Sequence, residues 1–397
     1  MYKLRMRAGM QPMCIHFGHC GGCLWQDVPY EEQLRRKQER VQAAFEALGL
    51  ESMPLHPILP SPAPLQYRNK MEFTVVPDPE RGIRIGLHAR GRFDQVVEIE
   101  QCLLPPEPAN QILEYIRQAA RQHGVSGYDY QRHEGFLRNI VLRYAEPPPQ
   151  WMVLVVTVTP QQESERGFLQ WLAREVPSRF PQVRTIVHVR NDTWSPVSYG
   201  EPTILFGDGV IEQQLCGLRL RISPFAFFQV NRLQLERFFG RILELCQPQS
   251  HEVGWDLYCG AGVIALLLAR QMRAVVGIEL VEDAIWDARL NAQRNGIANV
   301  EWYAADLHRA AARALLQQLP APDLIVVDPP RAGIHWRLLQ LLLERPAARL
   351  VYVSCNPETQ ARDLRTLLRV YRLEQLQPVD LFPQTPHVEC IAQLRRD

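Results

Sequence analysis

At 397 residues, 46% hydrophobic and 22% charged with a net charge of +1, the chain has an ordinary globular composition. It is too long for one compact core, so two or three domains are expected. No apolar run approaches the roughly 18 residues of a membrane span, and the basic N-terminal stretch MYKLRMRAGM has no apolar core behind it, which argues against a secretory signal.

A cytoplasmic protein with reduced thiols is therefore expected, working as a monomer. Its nine cysteines, an odd number, fit metal ligation and catalysis better than a disulfide framework. Of the 44 basic residues only Lys3, Lys37 and Lys70 are lysines. Arginine's planar fork suits phosphates and base edges, although a GC-rich genome gives the same bias.

In chain order, Cys14, Cys20 and Cys23 come first, as C-x5-C-x2-C with Gly21 and Gly22 in the bend. A lone Cys102 in EQCLLPP offers a fourth thiolate. Four thiolates suit either zinc or an iron–sulfur cluster, and spacing does not choose between them. YEEQLRRKQERVQAAFEALGL reads as an amphipathic helix whose apolar stripe is Leu34, Val41, Phe45 and Leu48, ended by Gly49. A proline-rich linker follows over 56–66.

From Tyr67 to about Leu220 the pattern is mostly β, in runs such as MEFTVV, LRNIVLRYA and WMVLVVTVT, with helices near 107–123 and 162–176. Arg68, Lys70, Arg138 and Arg143 interleave there with aromatic residues, which suits single-stranded RNA and equally suits a solvated sheet face. After about residue 222 apolar strands alternate with helices, the signal of a doubly wound α/β sheet. The expected division is 1–60, a cysteine segment with its helix; 61–221, a β-rich domain; and 222–397, a Rossmann-like domain.

In the last of these, WDLYCGAG (255–262) joins a strand to a helix through a glycine turn that lets a ligand approach the backbone. The third glycine of the dinucleotide fingerprint is replaced by Ala265. Glu279 closes the next strand, where a carboxylate can accept hydrogen bonds from ribose hydroxyls, and Asp306 closes the third. Either carboxylate also suits a helix cap. Asp328 closes a fully apolar strand ahead of two prolines, which stiffen the loop. VYVSCNPET (351–359) places Cys355 where a strand meets an Asn-Pro turn, as either an inert packing residue or an exposed nucleophile.

DPPRAG (328–333), SCNPET (354–359), FPQTPHVECIAQL (382–394), FFQVN (227–231) and the N-terminal cysteines together resemble the RNA uracil-C5 methyltransferases, over nearly the whole chain. The resemblance implies that Gln229, Tyr258, Glu279, Asp306 and Asp328 line an S-adenosylmethionine site. It further implies that Cys355 is the nucleophile, that Glu389 is the base, and that Cys14, Cys20, Cys23 and Cys102 hold a 4Fe–4S cluster with a structural task. The family commonly carries an aromatic residue where this chain has Ile264. The β-barrel RNA-binding domain that precedes the cysteines in some members is not expected, since Cys14 lies close to the N-terminus.

The chemistry calls for such a pair. Uracil C5 takes a methyl group only after a thiolate has added to C6, and a base must then remove the C5 proton so that the thiolate can leave. Arg331 is a candidate for favouring the thiolate. Methylation of 23S rRNA is expected, with tRNA uridine-54 as the alternative; a non-catalytic iron–sulfur RNA-binding protein and an amino-methyltransferase built on DPP are the rivals.

Overall fold

The computed structural model describes residues 11–50 and 53–396. The basic stretch 1–10, on which the expectation about a secretory signal rests, lies outside them. Among the described residues no helix is long and apolar enough to cross a membrane.

Helix α1 (Tyr30–Glu46) forms where expected and buries Val41 and Phe45 of the expected stripe, but Gln33 and Lys37 complete it while Leu34 and Leu48 are only half-buried. Gln33, Lys37, Val41 and Phe45 are spaced at i, i+4, i+8 and i+12 and so lie along one side of the helix. Half of the stripe is polar, and hydropathy periodicity does not register such positions. The proline-rich stretch after it is no loose linker. Leu55 and Leu59 bridge to Leu376 and Val379, so the segment runs beside the last strands as an added edge, where proline's missing N–H is tolerated.

Next come β1 (Lys70–Asp78), β2 (Gly82–Ala89), β3 (Arg92–Glu98), α2 (Pro108–Gln122), β4 (Leu137–Ala145), β5 (Gln150–Thr157), α3 (Glu163–Arg179), β6 (Val183–Arg190) and β7 (Glu201–Phe206). Their seven strands pair in the order β3-β2-β1-β4-β5-β6-β7, antiparallel except for β5 against β6, which α3 connects. The region expected to be mostly β is thus a mixed sheet with helical cover. On one face Ile140, Leu142, Val153 and Val155 pack with Ile112 and Ile116 of α2 and Phe168 and Leu172 of α3. On the other, Val141, Leu154 and Val156 join a core shared with the C-terminal half, including Leu266 and Val326. Burial on both faces explains why β4 is buried from end to end.

That burial corrects the reading of two arginines as RNA contacts. The Arg138 guanidinium donates to the carbonyls of Asn191, Thr193 and Ser195, each at 2.6 Å. Arg143 donates to those of Ser223, Pro224 and Ala226 at 2.7–2.8 Å. Both are buried, and their terminal donors are spent on shaping loops. Arg68 donates to the Lys70 carbonyl, while Lys70 stays partly exposed beside Glu72.

A hairpin of β8 (Ile211–Leu215) and β9 (Leu218–Ile222) bridges the halves. The C-terminal part runs α4 (Leu235–Cys246), β10 (Val253–Leu257), α5 (Val263–Ala269), β11 (Ala274–Glu279), α6 (Glu282–Arg294), β12 (Val300–Ala304), α7 (Ala310–Gln318), β13 (Leu324–Val327), α8 (Trp336–Glu344), β14 (Arg349–Ser354), α9 (Pro357–Leu367), β15 (Tyr371–Val379) and β16 (Glu389–Arg396). Its sheet has the order β12-β11-β10-β13-β14-β16-β15; the first five strands are parallel, and β16 is antiparallel to both neighbours. Strand order reverses between β10 and β13, which opens a crevice at their carboxyl ends.

Candidate active site

The crevice is built from strand ends. After β10 the backbone enters the left-handed region at Tyr258 (φ 65°), Gly260 (φ 53°) and Gly262 (φ 82°). Gly262 is needed sterically as well, since a Cβ there would lie 2.5 Å from the Trp302 ring. Beside Gly260 there is open space, and this glycine lines the cavity above the turn. The Ala265 amide donates to Asp256 at 2.8 Å, so the position without the third glycine is filled by a short side chain and a carboxylate bond.

A single cavity of about 620 Å³ opens over this turn, and its walls include Gln229, Tyr258, Glu279, Asp306, Asp328, Cys355 and Glu389. All seven expected site residues outside the cysteine segment are thus brought together from seven separate stretches of chain. The size suits a cofactor-binding cleft. Seven lining residues are Asp or Glu, against one fixed cation, Arg331. Such a lining favours a ligand carrying positive charge and disfavours the pyrophosphate of a dinucleotide.

Each carboxylate has its own setting. Glu279 accepts from the amides of Gly260 (3.1 Å), Leu280 (2.7 Å) and Val281 (3.1 Å), so it ties the glycine turn to the second strand tip. Asp306 accepts from the His308 amide at 2.9 Å, a bond that lowers its pKa. Burial pushes Asp256 up to about 8 and Asp328 up to about 7.

Cys355 and Glu389 meet through strand register. Ser354 of β14 is paired with Cys390 of β16, so the next step along the ladder sets Cys355 opposite Glu389. The thiol is half-buried, and burial followed by the Glu389 charge raises its pKa; a hydrogen bond from Arg331 and its charge act in the opposite direction. Burial, reinforced by Asp328, holds the Glu389 carboxyl well above the ordinary range, with Arg331 opposing. Arg331 also lies 2.9 Å from the His387 ring. Cys246 and Cys390 are fully buried packing residues, whereas Cys259 also touches the cavity.

The walls add residues that motif reading passed over: Asp256, Phe225, Phe227, His308 and Phe382. Asp256 carried the same signal as Asp328, a charge inside an apolar strand, GWDLY. The Tyr258 hydroxyl meets His308 Nε2 at 3.3 Å, a pairing across 50 residues that no local pattern announces.

Some distance along the chain, Cys14, Cys20, Cys23 and Cys102 line one small cavity of about 20 Å³. The Gly22 amide donates to Cys20 Sγ at 3.3 Å. Asn110 fixes the backbone of Cys102 by bonding both its N–H and its carbonyl. Among the described residues no group of three or more His, Cys, Asp and Glu side chains forms a cage for a metal ion.

Residues 217–397 match the model of the tRNA (uracil-5-)-methyltransferase family. The chain is 37% identical over 407 residues to an uncharacterised RNA methyltransferase of Chlorobaculum tepidum, covering 98% of this chain and 83% of that one. It is 36% identical to one of Caldanaerobacter subterraneus, covering 96% and 84%. Among solved structures, the tRNA (uracil-54, C5)-methyltransferase of Pyrococcus abyssi, in complex with S-adenosyl-L-homocysteine, superposes with a TM-score of 0.77. That likeness covers 94% of this chain and 85% of the other, at 29% identity.

Proposed function

This chain belongs to the RNA uracil-C5 methyltransferases, and from that premise we propose that it methylates C5 of a specific uridine in 23S rRNA, with Cys355 as nucleophile and Glu389 as base. The observation that carries the reading is the register of β14 and β16, which sets thiol and carboxyl across from each other at one end of the cavity.

S-adenosylmethionine, when bound, supplies the methyl group as an electrophile on a sulfonium centre. Gln229, Tyr258, Glu279, Asp306 and Asp328 are the residues that would hold it, and their acidic surroundings fit its cationic sulfonium and ammonium groups. Cys355 Sγ adds to C6 of the pyrimidine, and the electron pair of the C5–C6 double bond moves onto O4 as an enolate. C5 then takes the methyl group as the bond from methyl to sulfur breaks, and the electron pair of that bond leaves with the sulfur as a neutral thioether. The Glu389 carboxylate removes the C5 proton, the double bond re-forms, and the thiolate leaves. The target base leaves its stack to reach both groups.

Cys14, Cys20, Cys23 and Cys102 would hold a 4Fe–4S cluster of structural role. Support comes from four thiols, and no carboxylate, around one cavity. An RNA surface is supported on the β1–β3 side of the central sheet, where a cleft of about 1370 Å³ is walled by Phe93, Tyr130 and Trp194. Trp194 is 75% exposed and stacks on His133 with ring centroids 4.8 Å apart, and Phe93 is 88% exposed. Flat, exposed rings of this kind suit unstacked bases.

The rRNA reading draws on the cysteine segment, which in the family resemblance is commoner among rRNA members. The likeness to the P. abyssi enzyme favours tRNA uridine-54 as the second reading. Mass mapping of rRNA and tRNA from a deletion strain separates the two: loss of 5-methyluridine from 23S rRNA supports the first, and loss from tRNA alone supports the second. Iron and acid-labile sulfide measured on anaerobically purified protein test the cluster, and a colourless zinc protein would refute it.

A further inference from the structure

The connection between β15 and β16, residues 380–388, carries Phe382 and His387 and ends at Glu389, which pairs with Val379 at its stem. Gln384 at its centre sits in the left-handed region at φ 68°, a conformation that a side-chain-bearing residue holds only when its surroundings impose it.

Those surroundings are one distant stretch of chain, residues 24–67. The amides of Leu24 and Trp25, directly after Cys23, donate to the Gln384 carbonyl at 2.8 and 3.1 Å. The Gln384 amide donates to Gln33 Oε1 at 2.9 Å, and Gln33 Nε2 donates back to Gln384 Oε1 at 3.0 Å. Lys37 Nζ donates to Asp380 at 2.6 Å and to the Phe382 carbonyl at 2.9 Å. Tyr30 reaches Asp380, Tyr67 reaches the Pro383 carbonyl and Arg40 reaches the Pro386 carbonyl, at 2.9–3.0 Å. The polar half of the α1 stripe, Gln33 and Lys37, is therefore buried against this connection. Polar groups buried at such cost are retained where they fix one conformation over others.

We propose that Gln33 and Lys37 of α1 are positioning residues for the catalytic base: they template the 380–388 connection and thereby hold Glu389 over the target carbon. This rests on the reading of Glu389 given above. The cysteine segment adjoins the same connection, since Leu24 and Trp25 directly after Cys23 bond the Gln384 carbonyl.

The consequence is specific to one step. A displaced base leaves nucleophilic addition and methyl uptake possible but blocks loss of the C5 proton, so methylated RNA stays bonded to Cys355. The test uses the full chain with Lys37→Met, and with Gln384→Gly as a milder variant that accepts the same φ and keeps the backbone bond to Gln33 Oε1 but loses the bond from Gln33 Nε2 and frees the backbone of the connection. Unmodified 23S rRNA and tRNA transcripts are the probes, with methyl-labelled S-adenosylmethionine. Expected is a tenfold or greater rise in denaturant-resistant, labelled protein–RNA adduct, a matching fall in turnover, and cofactor affinity within twofold of the parent. Turnover and adduct at parental levels in Gln384→Gly would overturn the proposal. So would parallel loss of cofactor binding, adduct and turnover in that variant, which marks a merely structural role. If the parent chain itself transfers no methyl group to uridine C5, the functional reading falls, and this inference falls with it.

Discussion

Both seven-stranded sheets set charged side chains inside apolar strands, and they use them in opposite ways. In the C-terminal sheet Asp256 keeps one oxygen without a partner and Asp328 faces the cavity; burial raises the pKa of each and leaves it available to a ligand. In the central sheet Arg138 and Arg143 spend their terminal donors on loop carbonyls. A buried carboxylate that lines the cavity marks a site, and a buried guanidinium whose terminal donors are consumed, even with Nε of Arg138 left unpartnered, marks a brace. Arg143 does both jobs at one remove, because the loop it braces, 223–226, leads into Gln229.

The contrast breaks most visibly with Cys355→Ala. Methyl transfer should fall by roughly 10³-fold or more while melting temperature and RNA binding stay near parental values; unchanged methylation would remove the proposed nucleophile. On the brace side, Arg138→Met should cost roughly 3 kcal/mol or more of folding stability in urea titration, because it orphans buried carbonyls. The turnover of the remaining folded protein should change little. A fully stable Arg138→Met protein would dissolve the distinction.

The pH profile sharpens it further. Burial raises both the Cys355 thiol and the Glu389 carboxyl above their ordinary ranges, and in the proposed mechanism each reacts as its deprotonated form. The value of kcat/KM should therefore climb with pH, by up to about tenfold per unit for each of the two groups that is still protonated. An optimum near the ordinary carboxylate range would contradict the burial described here. The smallest expected effect is that of Trp194→Ala, a several-fold rise in KM for RNA at unchanged kcat, within the roughly 1–3 kcal/mol of one stacked base. A change in kcat alone would take the cleft out of RNA binding.

Legibility followed the same line. In the C-terminal half the strand tips Glu279, Asp306 and Asp328 and the thiol of Cys355 were readable because each sits at a local break in an apolar run, and the fold gathers such breaks at one sheet edge. In the first half, Arg138 and Arg143 sat in equally suggestive runs, yet their meaning depended on loops 50 to 80 residues away. Gln33 and Lys37 were passed over for Leu34 because hydropathy scores the side chain and not what it is buried against.

Local sequence determined the elements, the glycine turn and the chemical kinds of residue available, since those depend on backbone propensity and on neighbours within a few positions. Only the tertiary structure decided that Cys355 stands opposite Glu389, that two arginines are braces, and that Gln33 and Lys37 of α1 are buried against the connection that leads to Glu389. Those are facts of strand register and of which donors remain unspent, and both arise only when distant segments exclude water from one another.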